Sequence, residues 1–180
     1  MRSFFDTNIL VYLFDEDSPG KKARAQIFLE KETESGRALP STQVLQEFYV
    51  AVTRELEIPF FVEKAEEVVG QFMVLPLVEI SSSHILRAIR KSISLQFSFR
   101  DALIIEAAVS GGAGILYTED LEHCQTIDHL KILNPFQSKI QAVHITPCAP
   151  RLRIAAFHLK GECLCRSGLR LRAESVRRPC

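Results

Sequence analysis

Short apolar runs bounded by acids, hydroxyls or turn residues alternate, along the first 136 residues, with longer stretches of helical spacing. Phe4-Phe5 is one such run; it stops at Asp6-Thr7-Asn8 and resumes as Ile9-Leu10-Val11-Tyr12-Leu13-Phe14, a strand passing into a helix. After the turn Asp15–Gly20, the residues Ala23, Ile27 and Phe28 predict a surface helix with an apolar face, closed by Ser35-Gly36. Ala38-Leu39-Pro40 predicts a second strand, and Ser41 or Thr42 caps a helix striped by Leu45, Phe48, Tyr49, Val52 and Leu56. Beyond Pro59, a helix over 62–72 points Val68, Val69 and Phe72 inward. Leu77-Val78-Glu79-Ile80 predicts a third strand, and Ser81-Ser82-Ser83 opens a helix carrying Ile85, Ile89 and Ile93, with Arg87, Arg90 and Lys91 exposed. The nearly all-apolar stretch from Ala102 to Val109 predicts a central helix packed on both sides, ended by Gly111-Gly112. Ile115–Thr118 and Lys131-Ile132-Leu133 supply a fourth and a fifth strand. Strands separated by helices throughout imply an α/β fold, with a parallel sheet of about five strands and helices on both faces.

Charge divides the chain where that pattern ends. From Gln137 onward nine basic residues meet two acids, so this segment carries +7 and Met1–Phe136 carries −7 within a neutral whole. Four of the five cysteines, Cys148, Cys163, Cys165 and Cys180, also fall there. Residues 137–180 therefore form a basic, Cys- and Arg-rich extension without sustained periodicity, expected to be disordered or non-native. A zinc site from Cys163-x-Cys165 with Cys148, His158 and Cys180 fits no usual spacing, and a basic RNA-binding arm is the other reading of the segment. Only Arg2 precedes the first apolar run, which Asp6 and Asn8 interrupt, so neither a secretion signal nor a membrane span is predicted. With Cys124 the single cysteine before the extension, a cytoplasmic, reducing location is expected.

Four carboxylates fall at equivalent places: Asp6 after the first strand, Glu47 on the helix after the second, Asp101 at the start of the central helix, and Asp120 after the fourth strand. Each has an ordinary explanation, respectively a cap, an exposed helix residue, the acidic end of a Ser98-x-x-Asp101 capping box, and a loop acid. Together these leave unexplained why acids recur at the carboxyl edge of the sheet, where open α/β folds keep their ligands. Carboxylates sharing one cleft raise each other's pKa unless a cation neutralises them. Oxygen ligands without a histidine or cysteine set favour Mg2+ or Mn2+ over zinc. Such a site suits phosphodiester hydrolysis.

Phe5-Asp6-Thr7-Asn8-Ile9-Leu10, Ser41-Thr42-Gln43-Val44-Leu45-Gln46-Glu47-Phe48, Phe99-Arg100-Asp101-Ala102-Leu103-Ile104 and Leu116-Tyr117-Thr118-Glu119-Asp120-Leu121 resemble, in order and spacing, the motifs of the PIN-domain family. Within it they look most like the VapC-type toxin ribonucleases, over about residues 1–136. The resemblance implies a three-layer α/β/α domain with Mg2+- or Mn2+-dependent ribonuclease activity. Asp6, Glu47, Asp101 and Asp120 would be its catalytic and metal-binding acids, with Thr7, Asn8 and Thr118 supporting them. Glu119 competes with Asp120 for the fourth place, and Asp120 has the family's usual spacing from the threonine. An RNA substrate, a small antitoxin and a homodimer are implied as partners, and no membrane. Arg100 stands where the family commonly has an aromatic residue, and Cys124 where it often has glycine.

Arg54, Arg87, Arg90, Lys91 and Arg100 are candidates for RNA phosphate contacts, although scattered helix bases usually form a solvated face. Two other functions compete with the nuclease. A receiver-like Mg-binding phosphoacceptor module would also place acids at strand ends, but it needs a lysine closing the last strand, and Lys131 sits ahead of that position. The third reading is a catalytically inert PIN-like binding module, against which the full acid set speaks.

Overall fold

Strand β1 (Arg2–Phe5) lies inside the sheet, and its neighbouring residues Phe4 and Phe5, which point to opposite faces, are both fully buried. The computed structural model, which describes residues 1–137, therefore has a sheet covered on both sides, the expected three layers. The expectations for the segment from 138 onward fall outside the described residues. β1 pairs in parallel with β2 (Ala38–Leu39) on one side and β3 (Ala113–Tyr117) on the other. Beyond β3 come β5 (Leu130–Leu133), again parallel, and β4 (Thr126–Ile127), antiparallel to β5, giving the order β2-β1-β3-β5-β4.

Two strand expectations need correction. The sheet is mixed, because the chain reverses tightly between β4 and β5 through Asp128, at φ 54°. Leu77–Ile80 forms no strand and contributes one parallel bridge, Val78 to Ser41. Val78 donates to the Pro40 carbonyl at 3.0 Å, but proline has no N–H to extend the ladder.

Six helices connect these strands: α1 (Thr7–Tyr12), α2 (Pro19–Glu34), α3 (Thr42–Arg54), α4 (Val62–Phe72), α5 (Ser82–Leu95) and α6 (Phe99–Ser110). α6 is the expected central helix, buried from Ala102 to Ala108, and Gly112 ends its turn at φ 70°. α3 is capped by Ser41, whose Oγ accepts from Val44 N, and it buries Val44, Leu45, Phe48 and Val52. The inward faces of two helices differ from expectation. α2 buries Ala25 and Leu29 and exposes Ala23 and Ile27, because the third residue of its buried face is Glu32, paired with Arg37 and Ser3. α5 buries the small Ala88 and His84, which let it approach α6 closely at Ala102 and Leu103, and leaves Ile85, Ile89 and Ile93 exposed.

The strand order places the crevice. From β1 the chain passes to one side to form β2 and later returns on the other side as β3, so the order reverses at β1. At such a reversal the connections leave in opposite directions and a cleft opens outside the carboxyl ends of the two strands. Asp6 and Thr118 are the first residues past those ends.

Candidate active site

Asp6 sits between the two strand ends, its N–H bonded to the Tyr117 carbonyl at 3.0 Å. Its carboxylate takes up two donors: Oδ1 accepts from Thr7 N at 2.6 Å, and Oδ2 accepts from the Thr118 hydroxyl at 2.6 Å. Asp6 is thus both the helix cap and a member of the cluster, and the two sequence explanations hold together. The Thr118 hydroxyl also accepts from the Asp120 N–H at 3.1 Å, and Asn8 Nδ2 donates to Asp120 Oδ2 at 3.1 Å. From the other side, the Thr7 hydroxyl donates to Glu47 Oε2 at 2.7 Å. Asp6, Glu47 and Asp120, from three separate segments, are therefore tied together through Thr7, Asn8 and Thr118.

This cluster is electrostatically strained where it is buried. Burial pushes the Asp6 carboxyl up to about 6, the nearby Asp120 and Glu47 charges push in the same direction, and the bonds from Thr118 and Thr7 oppose them. The donor set is entirely oxygen, which suits a hard divalent cation. Two further acceptors, Asn8 Oδ1 and Gln43 Oε1, are buried without a hydrogen-bond partner among the described residues, so the surroundings also offer oxygens suited to a positive charge or a donor. The residues present thus fit the implied metal in chemistry. In this conformation, however, no three carboxylate, imidazole or thiolate groups among the described residues converge closely enough to hold one ion together.

Arg100 accounts for part of that. Its Nε and Nη2 each lie 3.0 Å from Glu47 Oε2, an oxygen that also takes the Thr7 hydroxyl, while Gln43 Nε2 donates to Oε1 at 3.0 Å. Burial would lower the Arg100 pKa, but the Glu47, Asp6 and Asp120 charges outweigh it and raise it. The position expected to hold an aromatic residue thus delivers a cation to the acids. Gln43 was not foreseen, although its spacing four residues before Glu47 on one helix face is a usable signal.

The other candidates are not bonded into this cluster. Asp101 lies in the first turn of α6, next to Arg100; its N–H donates to Ser98 Oγ at 3.1 Å, and its carboxylate makes no hydrogen bond or ion pair among the described residues. Glu119 is turned away from the cluster, bonded by Lys21 Nζ at 2.7 Å and by the Tyr12 hydroxyl, which leaves the place beside Asn8 to Asp120. Arg87 and Lys91 are not free bases, since both pair with Glu106, at 2.9 and 2.7 Å, and Lys91 also reaches Asp128. Arg54 and Arg90 are exposed and unpaired among the described residues. Lys131 lies near the start of β5, at the opposite end of that strand from Leu133, so it does not serve the role a receiver-like site requires. Cys124 has φ 67°, the left-handed region that favours glycine, in keeping with the residue the family often places there.

A doubly covered α/β sheet with acids gathered at its topological reversal defines a class of acid-pocket domain. The chain belongs to the PIN domain family, whose pattern its sequence matches over residues 3–128. Comparison with curated proteins finds no similar sequence. Among solved structures, a toxin–antitoxin complex from Klebsiella pneumoniae is similar at 19% identity and TM-score 0.56, covering 74% of this chain and 97% of that one. VapC20 of Mycobacterium tuberculosis, described as a Sarcin-Ricin loop cleaving toxin, is 16% identical at TM-score 0.53, covering 66% and 89%. DNA-bound VapBC from Salmonella typhimurium is 17% identical at TM-score 0.51, covering 73% and 96%. At these identities the likeness is one of fold.

Proposed function

We propose that this chain is a Mg2+- or Mn2+-dependent endoribonuclease, carried by residues 1–136, and that it is the toxin of a toxin–antitoxin pair. The observation that carries the reading is the linkage of Asp6, Glu47 and Asp120 through Thr7, Asn8 and Thr118 at the carboxyl edge of a PIN-family sheet. PIN-domain nucleases generally use divalent metal, and Asp6, Asp120, Glu47 and Asp101 are the residues proposed to hold it. Bound there, the ion would supply the positive charge that orients the phosphodiester oxygens and activates water for attack. The chain's own part is positional. The Thr118 hydroxyl, donating to Asp6 and accepting from the Asp120 N–H, fixes these two acids relative to each other, and Thr7 does the same for Asp6 and Glu47.

Arg54 and Arg90, exposed and unpaired, are the proposed phosphate contacts away from the reacting centre. The toxin–antitoxin complexes among the structural neighbours support an antitoxin partner, and the exposed Ile85, Ile89 and Ile93 of α5 offer an apolar stripe to a second copy of the chain. No helix among the described residues is long and apolar enough to cross a membrane. The purified full chain should cleave RNA with Mg2+ or Mn2+, and EDTA or Asp6→Asn should abolish cleavage. RNA binding without cleavage would favour the inert binding module, and cleavage that persists in EDTA would remove the metal from the mechanism.

A further inference from the structure

Glu47 is saturated. Its Oε2 faces three donors, the Thr7 hydroxyl at 2.7 Å and Arg100 Nε and Nη2 at 3.0 Å each, and its Oε1 takes Gln43 Nε2 at 3.0 Å. A carboxylate coordinates a metal through the same lone pairs that these donors occupy. The strongest of the three partners is the guanidinium, because it is charged and approaches with two N–H groups. It is also the one most able to leave: the Arg100 side chain is 58% exposed and sits in the first turn of α6, whereas Thr7 and Gln43 are buried.

The same guanidinium stands close enough to Asp6 and Asp120 for both to stabilise its charge. It therefore does for the metal-free cluster part of what a divalent ion would do, offsetting the repulsion among three acids with one positive charge. A cation of twice the charge arriving at the same carboxylates meets a site already partly neutralised and a Glu47 already bound.

We propose that Arg100 is the resident counter-ion of the acid cluster, competing with divalent metal for Glu47, so that metal loads by displacing the guanidinium into solvent. This rests on the metal-dependent reading of the site and adds a control on its occupancy. Arg100 is a positioning residue here: it holds Glu47 in the metal-free state.

The test is Mn2+ binding to the full chain by calorimetry, with metal-free and metal-saturated thermal unfolding of the same samples. Arg100→Ala should bind Mn2+ about ten-fold more tightly, about 1.4 kcal/mol, because no competitor has to be moved. Its metal-free melting temperature should fall, since the acids lose their counter-ion, and saturating Mn2+ should raise it by more than in the wild type. Arg100→Lys, which keeps the charge without the two-pronged contact, should lie between the two in affinity and guards against a folding defect in the alanine variant. Equal or weaker Mn2+ binding by a folded Arg100→Ala chain overturns the competition while leaving the nuclease reading intact. Absence of Mn2+ binding in wild type and both variants overturns the competition and the metal-dependent site together.

Discussion

Asp6 and Glu106 leave the same 6% of their surface exposed, yet Asp6 is set much deeper in the protein and their acidities move in opposite directions. For Asp6 burial wins, and its pKa rises to about 6. For Glu106 burial pushes the same way, but Lys91 at 2.7 Å and Arg87 at 2.9 Å outweigh it and the pKa falls. Glu32 repeats the second pattern with Arg37 and Ser3. Acids that brace helix α5 against α6, or α2 against the sheet, are each supplied with a cation. Asp6 is supplied only with a hydroxyl and a backbone N–H, and its charged neighbours are two more acids and the outlying Arg100. Depth and neighbours together separate Asp6 from the bracing carboxylates of this fold.

Replacing each acid by its amide should pull the two apart most widely. Asp6→Asn should lower RNA cleavage by about a thousand-fold without lowering the metal-free melting temperature, since it removes one of several like charges. Glu106→Gln should instead cost about 2 kcal/mol in a urea melt, because it takes from Arg87 and Lys91 their shared carboxylate and leaves Lys91, whose side chain is only 15% exposed, with the exposed Asp128 alone, and should leave cleavage as it was. An Asp6→Asn chain that is clearly destabilised and still cleaves RNA would make Asp6 a cap and move the catalytic centre elsewhere.

Acidity should separate them next. Between its ordinary value of 3.8 and its folded value of about 6, Asp6 is protonated in the folded metal-free chain and ionised in the unfolded one. The folded state then binds more protons, so this group's contribution to stability falls as pH rises through that window, by on the order of 3 kcal/mol. Glu106, lowered, contributes stability that is present above its unfolded pKa and lost as pH falls through its folded value. Urea midpoints of wild type and Asp6→Asn should therefore diverge in the variant's favour as pH rises from about 4 to 6. Curves that stay parallel would mean Asp6 is not raised.

Thr118→Val gives the smallest effect. The residue is fully buried and its hydroxyl serves Asp6 and the Asp120 N–H, so the isosteric change should destabilise by about 1–2 kcal/mol. It also removes a bond that holds the Asp6 pKa down, so Asp6 should titrate still higher by NMR. An unshifted Asp6 would show that the hydroxyl is a bystander.

Asp6, Thr7, Asn8, Thr118 and Asp120 were readable from the chain because they stand where strands end, a position encoded locally by an apolar run and its stop, and Glu47 because it lies on the capped helix that follows the second strand. The central helix was readable because nearly every residue in it is apolar. What depended on packing partners was not. The buried face of α2 turns on Glu32 finding Arg37, and α5 hides Ala88 while its isoleucines stay outside, a choice made by how closely α6 approaches. Arg100 meets Glu47 across 53 residues, a contact that no local pattern predicts. The Leu77–Ile80 segment looked like a strand because its composition is that of one; the missing N–H of Pro40 limits it to a single bridge.

Both outer strands of the sheet, β2 and β4, are only two residues long. An exposed row of unpaired backbone groups is what recruits a foreign strand, in amyloid as in strand-addition complexes, and two residues offer too little of one to guide pairing. Among the described residues the sheet is therefore closed to extension at either side. Recognition of the described domain by another chain is then left to side chains, where a single substitution can tune it, and its sheet is spared the sequence-blind stickiness that a long open edge confers.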